Sequence, residues 1–186
     1  MTGSSAVMPV NNRDHVLGAK EPELTLIEYG DFGCRFCFAA SRGVSSLLER
    51  YATLSLVWRH LPDPELHPGA DLAAELSELA ATHGKFWAAH SVLLTGREQF
   101  SSEDLLAVAG RLKLDLDEAE SALREHRFRE RVLEDLAGGR RARVHATPTF
   151  LLGSETLPCA WRELPRRVAA MLGSGAEQHR TRSRNG

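Results

Sequence analysis

The stretch Leu24-Thr25-Leu26-Ile27-Glu28-Tyr29-Gly30-Asp31-Phe32-Gly33-Cys34-Arg35-Phe36-Cys37 decides the reading of this chain. Residues 24–29 form an apolar run of strand length, Asp31-Phe32-Gly33 make a turn, and a long helical pattern follows. Cys34 therefore falls at a helix N-terminus, with Cys37 one turn further in. Unpaired backbone N–H groups and the helix dipole favour an anion there, so the Cys34 thiol is expected to be more acidic than a free one. Arg35 adds a positive charge at the same place and is expected to tune that acidity. Two thiols at this spacing can close and reopen a disulfide, which points to redox chemistry.

Outward from this motif, Phe36, Ala40, Val44, Leu47, Leu48 and Tyr51 recur at helical spacing, and Leu54–His60 reads as a second strand. The crossover between the strands, about 20 residues long, predicts a parallel, right-handed unit. Pro62, Pro64 and Pro68 break the chain, and four short helices are expected from Asp71 to about Arg127. Ser101–Asp104 and Asp115–Glu118 resemble capping boxes that open two of them. A further helix, a short apolar strand at Thr149–Leu152, a turn at Gly153-Ser154, a second strand and a last helix from Trp161 to Leu172 complete the pattern. The expected organisation is an irregular N-terminal arm (1–20), a core built from 21–62 and 128–172, a helical insert (63–127) and a disordered tail (173–186).

With 186 residues, 42% hydrophobic and 26% charged, the chain has enough material for one packed α/β domain carrying an insert. A net charge of −2 gives no electrostatic reason to expect nucleic acid or an anionic membrane as partner. The first residues lack the basic and apolar segments of a secretion signal, and no apolar run is long enough to span a bilayer, so the expected location is cytoplasmic. Three cysteines are too few for a disulfide scaffold.

The element order, together with Asp14-His15-Val16-Leu17-Gly18, Glu28-Tyr29-Gly30-Asp31-Phe32, Cys34-x-x-Cys37, Arg59-His60-Leu61-Pro62, Leu66-His67-Pro68, Gly84-Lys85-Phe86-Trp87 and Thr147-Pro148-Thr149-Phe150, resembles the DsbA-like group of the thioredoxin superfamily. That group includes stand-alone proteins and domains fused to sodium/proton antiporters. The resemblance covers roughly residues 14–172 and implies a thioredoxin fold with an all-helical domain inserted after the second core strand. It also implies a protein disulfide oxidoreductase in which Cys34 attacks and Cys37 resolves the mixed disulfide. Cys34 is expected to be exposed and Cys37 shielded and less acidic.

By the same resemblance Pro148 is a cis-proline that brings Thr147 beside the cysteines as a substrate contact. Glu28 is a buried acid that takes the proton from Cys37, with Arg59 or His60 offsetting its charge. Phe36, between the cysteines, either touches substrate or packs. The partners implied are protein or peptide thiols and disulfides, with glutathione or a thioredoxin-type reductant as electron source, and no metal or organic cofactor is needed. Two features depart from the oxidising members: Arg35-Phe36 stands where Pro-His or Pro-Tyr is common, and the first residues do not read as a secretion signal. Reductase or isomerase work is therefore left open beside oxidase work.

The plainer readings stay beside these. A structural zinc site at Cys34 and Cys37 needs two more ligands, and no second C-x-x-C exists in the sequence. Cys159, far away in sequence, reads as a small hydrophobe, with a regulatory thiol as the sharper alternative. His83 and His90 lack the spacing of a ligand pair, and His60, His67 and His145 are placed on the active-site side by the resemblance. Trp58, Phe86, Trp87, Phe100 and Phe150 read as core, and the arginines around Arg140 as solvated surface. The rival functions are a glutathione-linked transferase or isomerase on the same fold, a redox-sensing module without turnover, and an antiporter-type regulatory domain.

Overall fold

The computed structural model describes residues 9–153 and 155–173. Its elements run β1 (His15–Gly18), β2 (Leu24–Gly30), α1 (Arg35–Arg50), β3 (Leu54–His60), α2 (Ala70–Thr82), α3 (Phe86–Leu93), α4 (Ser102–Arg111), α5 (Leu116–Arg124), α6 (Arg129–Arg141), β4 (Thr149–Leu152), β5 (Glu155–Pro158), a 3-10 turn (Trp161–Glu163) and α7 (Leu164–Leu172). The sheet order is β1-β3-β2-β4-β5; β2 and β3 are parallel and the other pairs antiparallel. This is a thioredoxin fold carrying an all-helical insert, α2 to α5, between β3 and α6.

Strand alternation distributes the core. Leu24 and Leu26 of β2, with Leu54 and Leu56 of β3, meet Ala40, Val44 and Leu47 of α1 and Leu164 and Val168 of α7. Ile27, Tyr29 and Val57 face the other way, toward Ala142 and Val144 at the end of α6. By the same period of two, Glu28 shares the α1 face with the leucines. It lies between Trp58 and Phe150 in register, and both aromatics are fully buried.

The first strand was not legible. The sequence reads residues 1–20 as irregular, yet His15–Gly18 pairs antiparallel with β3. Val16 and Leu17 stay exposed, so this short edge strand shows no in-out alternation for a sequence to display. Its hold comes from elsewhere: the His15 ring stacks on Phe86 with centroids 3.4 Å apart, and Trp87 Nε1 donates to the Val16 carbonyl at 3.1 Å.

Among the insert's N-termini, Ser101 and Asp104 form a complete capping box. Asp115 accepts from the Glu118 N–H, which is half of the expected reciprocal pair. The expected turn at Gly153-Ser154 and the tail from residue 174 fall partly or wholly outside the described residues, as do residues 1–8.

A buried polar clamp fixes the insert to the core. Glu78 of α2 accepts from His15 Nε2 at 2.8 Å and from His60 Nε2 at 2.9 Å. Trp58 Nε1 donates to His60 Nδ1 at 3.2 Å, which puts the His60 proton on Nε2 and aims it at the carboxylate. These three ligand-type side chains lie close enough for a metal ion. The indole donor, however, leaves His60 Nε2 as a donor with no lone pair to give, so the trio is a hydrogen-bond network. Burial pushes the Glu78 carboxyl up, but the two histidine bonds more than offset this and hold it well below the ordinary range. Replacing Glu78 with Leu, which strands both histidines, is expected to lower the unfolding free energy in urea by about 3–5 kcal/mol. A loss under roughly 1 kcal/mol would show that the clamp is dispensable.

Candidate active site

The turn before α1 is braced from the insert side. The buried Asp31 carboxylate accepts from the Gly33 N–H at 2.7 Å, the Asp63 N–H at 3.0 Å and His67 Nδ1 at 2.7 Å. Gly33 is needed for this approach, because a Cβ there would overlap the His67 side chain. The Cys34 N–H then donates to the Asp31 carbonyl at 3.1 Å, which places Cys34 at the N-cap of α1.

All three cysteines are thiols, with Cys34 at 3% exposure and Cys37 at 0%. Cys37 is shielded as expected, but Cys34 is more covered than the sequence suggested. The loop before β4 leans on it: Cys34 Sγ donates to the Thr147 carbonyl at 3.3 Å, and the Thr147–Pro148 peptide is cis. Cys34 still lines a groove of about 890 Å³, with Phe36, Leu66, His145, Thr147 and Cys159 also on its walls. Phe36 is half exposed at the rim.

Three acidic groups in a row are pushed apart. The Cys37 thiol hydrogen-bonds to the Cys34 sulfur and, against the opposing effect of burial, brings Cys34 down to about 6; the Thr147 side chain and the backbone of Cys37 and Phe36 assist. Cys37 is pushed well above the ordinary thiol value, by burial first, then by donating its hydrogen bond to Cys34, and then by the charges of Glu28 and Cys34. Glu28 is pushed up to about 8 by burial and, secondarily, by the Cys34 charge.

Arg35 is not among the largest contributors to Cys34. Its guanidinium lies 5.0 Å over the Phe36 ring and 3.9 Å from Glu98, with the side chain largely in solvent. The expectation that Arg59 or His60 offsets the Glu28 charge fails on strand geometry. Arg59 points to the opposite face, where it is paired with Asp14 at 2.9 Å beside Tyr29, and His60 is committed to Glu78. Glu28 Oε1 and His90 Nε2, both buried and without a hydrogen-bond partner among the described residues, border one cavity of about 80 Å³ between α1 and α3. Burial brings His90 down to about 3, so it is neutral at physiological pH.

The sequence reads Cys159 as a small buried or semi-exposed hydrophobe, with a regulatory thiol as the alternative. Here it is exposed at the groove, and its Sγ donates to the Thr147 carbonyl at 3.7 Å. The available signal is hairpin register: β4 and β5 pair Thr149 with Pro158, which carries the next residue to the side of Pro148.

The fold and this site define a dithiol protein built on a thioredoxin core. The chain belongs to the thioredoxin family, whose model, described as Thioredoxin, matches residues 10–167. It is 42% identical over 147 residues to the Na(+)/H(+) antiporter NhaA 1 of Salinispora arenicola, covering 78% of this chain and 22% of that protein. It is also 34% identical over 169 residues to the Na(+)/H(+) antiporter NhaA of Herminiimonas arsenicoxydans, covering 90% and 26%. The chain thus spans about a quarter of the length of these relatives. Among solved structures it resembles oxidised BdbD from Bacillus subtilis, with TM-score 0.77, 21% identity and coverage of 88% of this chain and 95% of that one. The thiol-disulfide exchange protein alpha-DsbA2 from Wolbachia pipientis gives TM-score 0.72 and 16% identity, covering 87% and 88%. Both likenesses are of fold.

Two outcomes are expected. Alkylation of the reduced protein by iodoacetamide rises with pH about a midpoint near 6 at Cys34, while Cys37 stays unreactive; a Cys34 midpoint near 9 would contradict the hydrogen-bonded thiolate. For Glu28 the folded value of about 8 exceeds the ordinary 4.5. Its contribution to stability is therefore full below about pH 4.5 and is lost as pH rises to about 8, at a slope of up to about 1.4 kcal/mol per unit. Urea unfolding of reduced Glu28→Gln should lack this decline between pH 5 and 8, and parallel pH profiles for the two proteins would contradict it.

Proposed function

We propose that this chain is a thiol-disulfide oxidoreductase that exchanges disulfides with protein or peptide thiols through a Cys34 mixed disulfide resolved by Cys37. The observation that carries the reading is the placement of the pair, with Cys34 at a helix N-cap on the wall of a groove and Cys37 buried one turn behind it, which splits their acidities. A thiol near 6 is largely thiolate at pH 7, so Cys34 attacks an incoming disulfide, or leaves readily from one, whereas Cys37 holds its proton until the mixed disulfide has formed.

In the reducing direction the Cys34 thiolate attacks one sulfur of the substrate disulfide, and the other sulfur departs as a thiolate. Cys37 then gives its proton to Glu28 and attacks the Cys34 sulfur, so that the Cys34–Cys37 disulfide forms and the second substrate thiolate is released. Two electrons pass from the cysteine pair to the substrate; the oxidising direction is the reverse. Glu28 suits the proton step in its ionised form: once Cys34 is held in the mixed disulfide, the thiolate charge that helps raise the carboxyl is gone, and Glu28 sits within electrostatic reach of Cys37.

Thr147 and Pro148 supply the substrate edge in this reading. An extended peptide adds to the backbone of Thr147, whose carbonyl accepts from the Cys34 thiol and, once Cys34 is a thiolate, is free to accept from a peptide N–H. Phe36 and Leu66, both exposed on the groove wall, take apolar side chains, which suits unfolded protein segments. Residence in the cytoplasm, with glutathione or a thioredoxin-type reductant setting the direction, belongs to the same proposal.

Reduction of insulin disulfides, or oxidation of a dithiol peptide, tests it. Cys34→Ser is expected to abolish exchange, and Glu28→Gln to slow turnover by about 10²-fold while leaving the first attack by Cys34 intact. Exchange that persists in Cys34→Ser would overturn the reading. One equivalent of reaction with no further turnover would instead identify a redox-sensing module.

A further inference from the structure

The third cysteine stands at the same site. β5 ends at Pro158, and the hairpin register puts Pro158 opposite Thr149. The next residue, Cys159, therefore reaches Pro148, whose carbonyl accepts its N–H at 2.7 Å. Its sulfur donates to the Thr147 carbonyl at 3.7 Å, the same oxygen that accepts from the Cys34 sulfur at 3.3 Å. The two sulfurs thus lie no further apart than these two distances laid end to end. Both line the groove, and Cys159 is exposed where Cys37 is not. Cys34 accordingly has one thiol neighbour inside the core and another on the solvent side.

We propose that Cys159 is a second resolving thiol, which attacks Cys34 mixed disulfides from the groove and closes a Cys34–Cys159 disulfide. The step rests on the reading of Cys34 as the exchanging nucleophile. In it the Cys159 thiolate, having lost its proton to solvent, attacks the Cys34 sulfur. The Cys159–Cys34 bond forms, the bond from Cys34 to the substrate sulfur breaks, and the substrate leaves as a thiolate that takes up a proton. Cys37 then attacks the Cys34 sulfur in turn, giving the Cys34–Cys37 disulfide and returning Cys159 as a thiol. No outside oxidant enters, since the substrate disulfide supplies both oxidising equivalents. The arrangement suits mixed disulfides with small thiols such as glutathione, which leave the groove open to Cys159, and gives them a release route that does not wait for the buried thiol.

Glutathione disulfide is the probe, applied to the full chain carrying Cys37→Ser alone or Cys37→Ser with Cys159→Ser. In the double variant the glutathione adduct on Cys34 is expected to persist. In the single variant it is expected to decay at least about tenfold faster, leaving a Cys34–Cys159 disulfide found by peptide mapping. Equal adduct lifetimes in the two proteins would overturn the proposal while leaving Cys34 exchange standing. Failure of the double variant to form any Cys34 adduct would overturn the exchange reading, and the proposal with it. In the unaltered chain, acid quenching after a brief substoichiometric pulse should reveal the Cys34–Cys159 linkage before Cys34–Cys37 accumulates; its absence at every time point would also count against the proposal.

Discussion

The hydrogen bond from the Cys37 thiol to the Cys34 sulfur is the interaction on which the chemistry of this molecule depends. It lowers one thiol by raising the other, so a pair of identical side chains becomes a nucleophile and a held-back proton donor. The bond forms because α1 begins at Cys34, which places Cys37 one turn in and against the core. Burial then adds to the asymmetry: it opposes ionisation of both thiols, but the N-terminal backbone groups of the helix favour Cys34 alone.

The rest of the fold holds that geometry. Asp31 gathers the Gly33 and Asp63 N–H groups and the His67 ring, joining the turn before α1 to the chain that enters the insert. The Glu78 network ties α2 of the insert to β1 and β3 of the core, and α3 then covers the face of the sheet on which Glu28 lies. Glu28 is left between two buried aromatics with no cation among the described residues to balance it, which makes its carboxyl unusually basic. Helical insert and dithiol site are therefore coupled: the insert supplies part of the dry environment that sets the acidity of the core residue.

The parts of this account written in local pattern were readable in advance. β2, β3 and β4 are short apolar runs bounded by turn residues, the insert helices carry 3.6-residue periodicity, two of them with recognisable caps, and Cys34-x-x-Cys37 sits where a strand turns into a helix. What escaped depends on contacts between distant segments. β1 is an exposed edge with no alternation, and only its pairing with β3 makes it a strand. The cover over Cys34 comes from a loop 113 residues away. Arg35, adjacent in sequence to the thiol, is drawn instead toward Glu98 and Phe36. Cys159 looked remote because it follows Cys34 by most of the chain, although the register of the final hairpin, itself legible, carries it to the cis-proline loop.

The reduction potential of the Cys34–Cys37 pair tests the central claim most directly, measured by equilibrating the Cys159→Ser protein with graded glutathione buffers and quantifying free thiols. Stabilising the Cys34 thiolate stabilises the reduced form and makes the disulfide more oxidising. With Cys34 near 6, between the thioredoxin value of about 7 and the DsbA value of about 3.5, the account predicts a potential between about −270 and −120 mV. A value at or below about −270 mV, or a pair that never closes a disulfide, would contradict it.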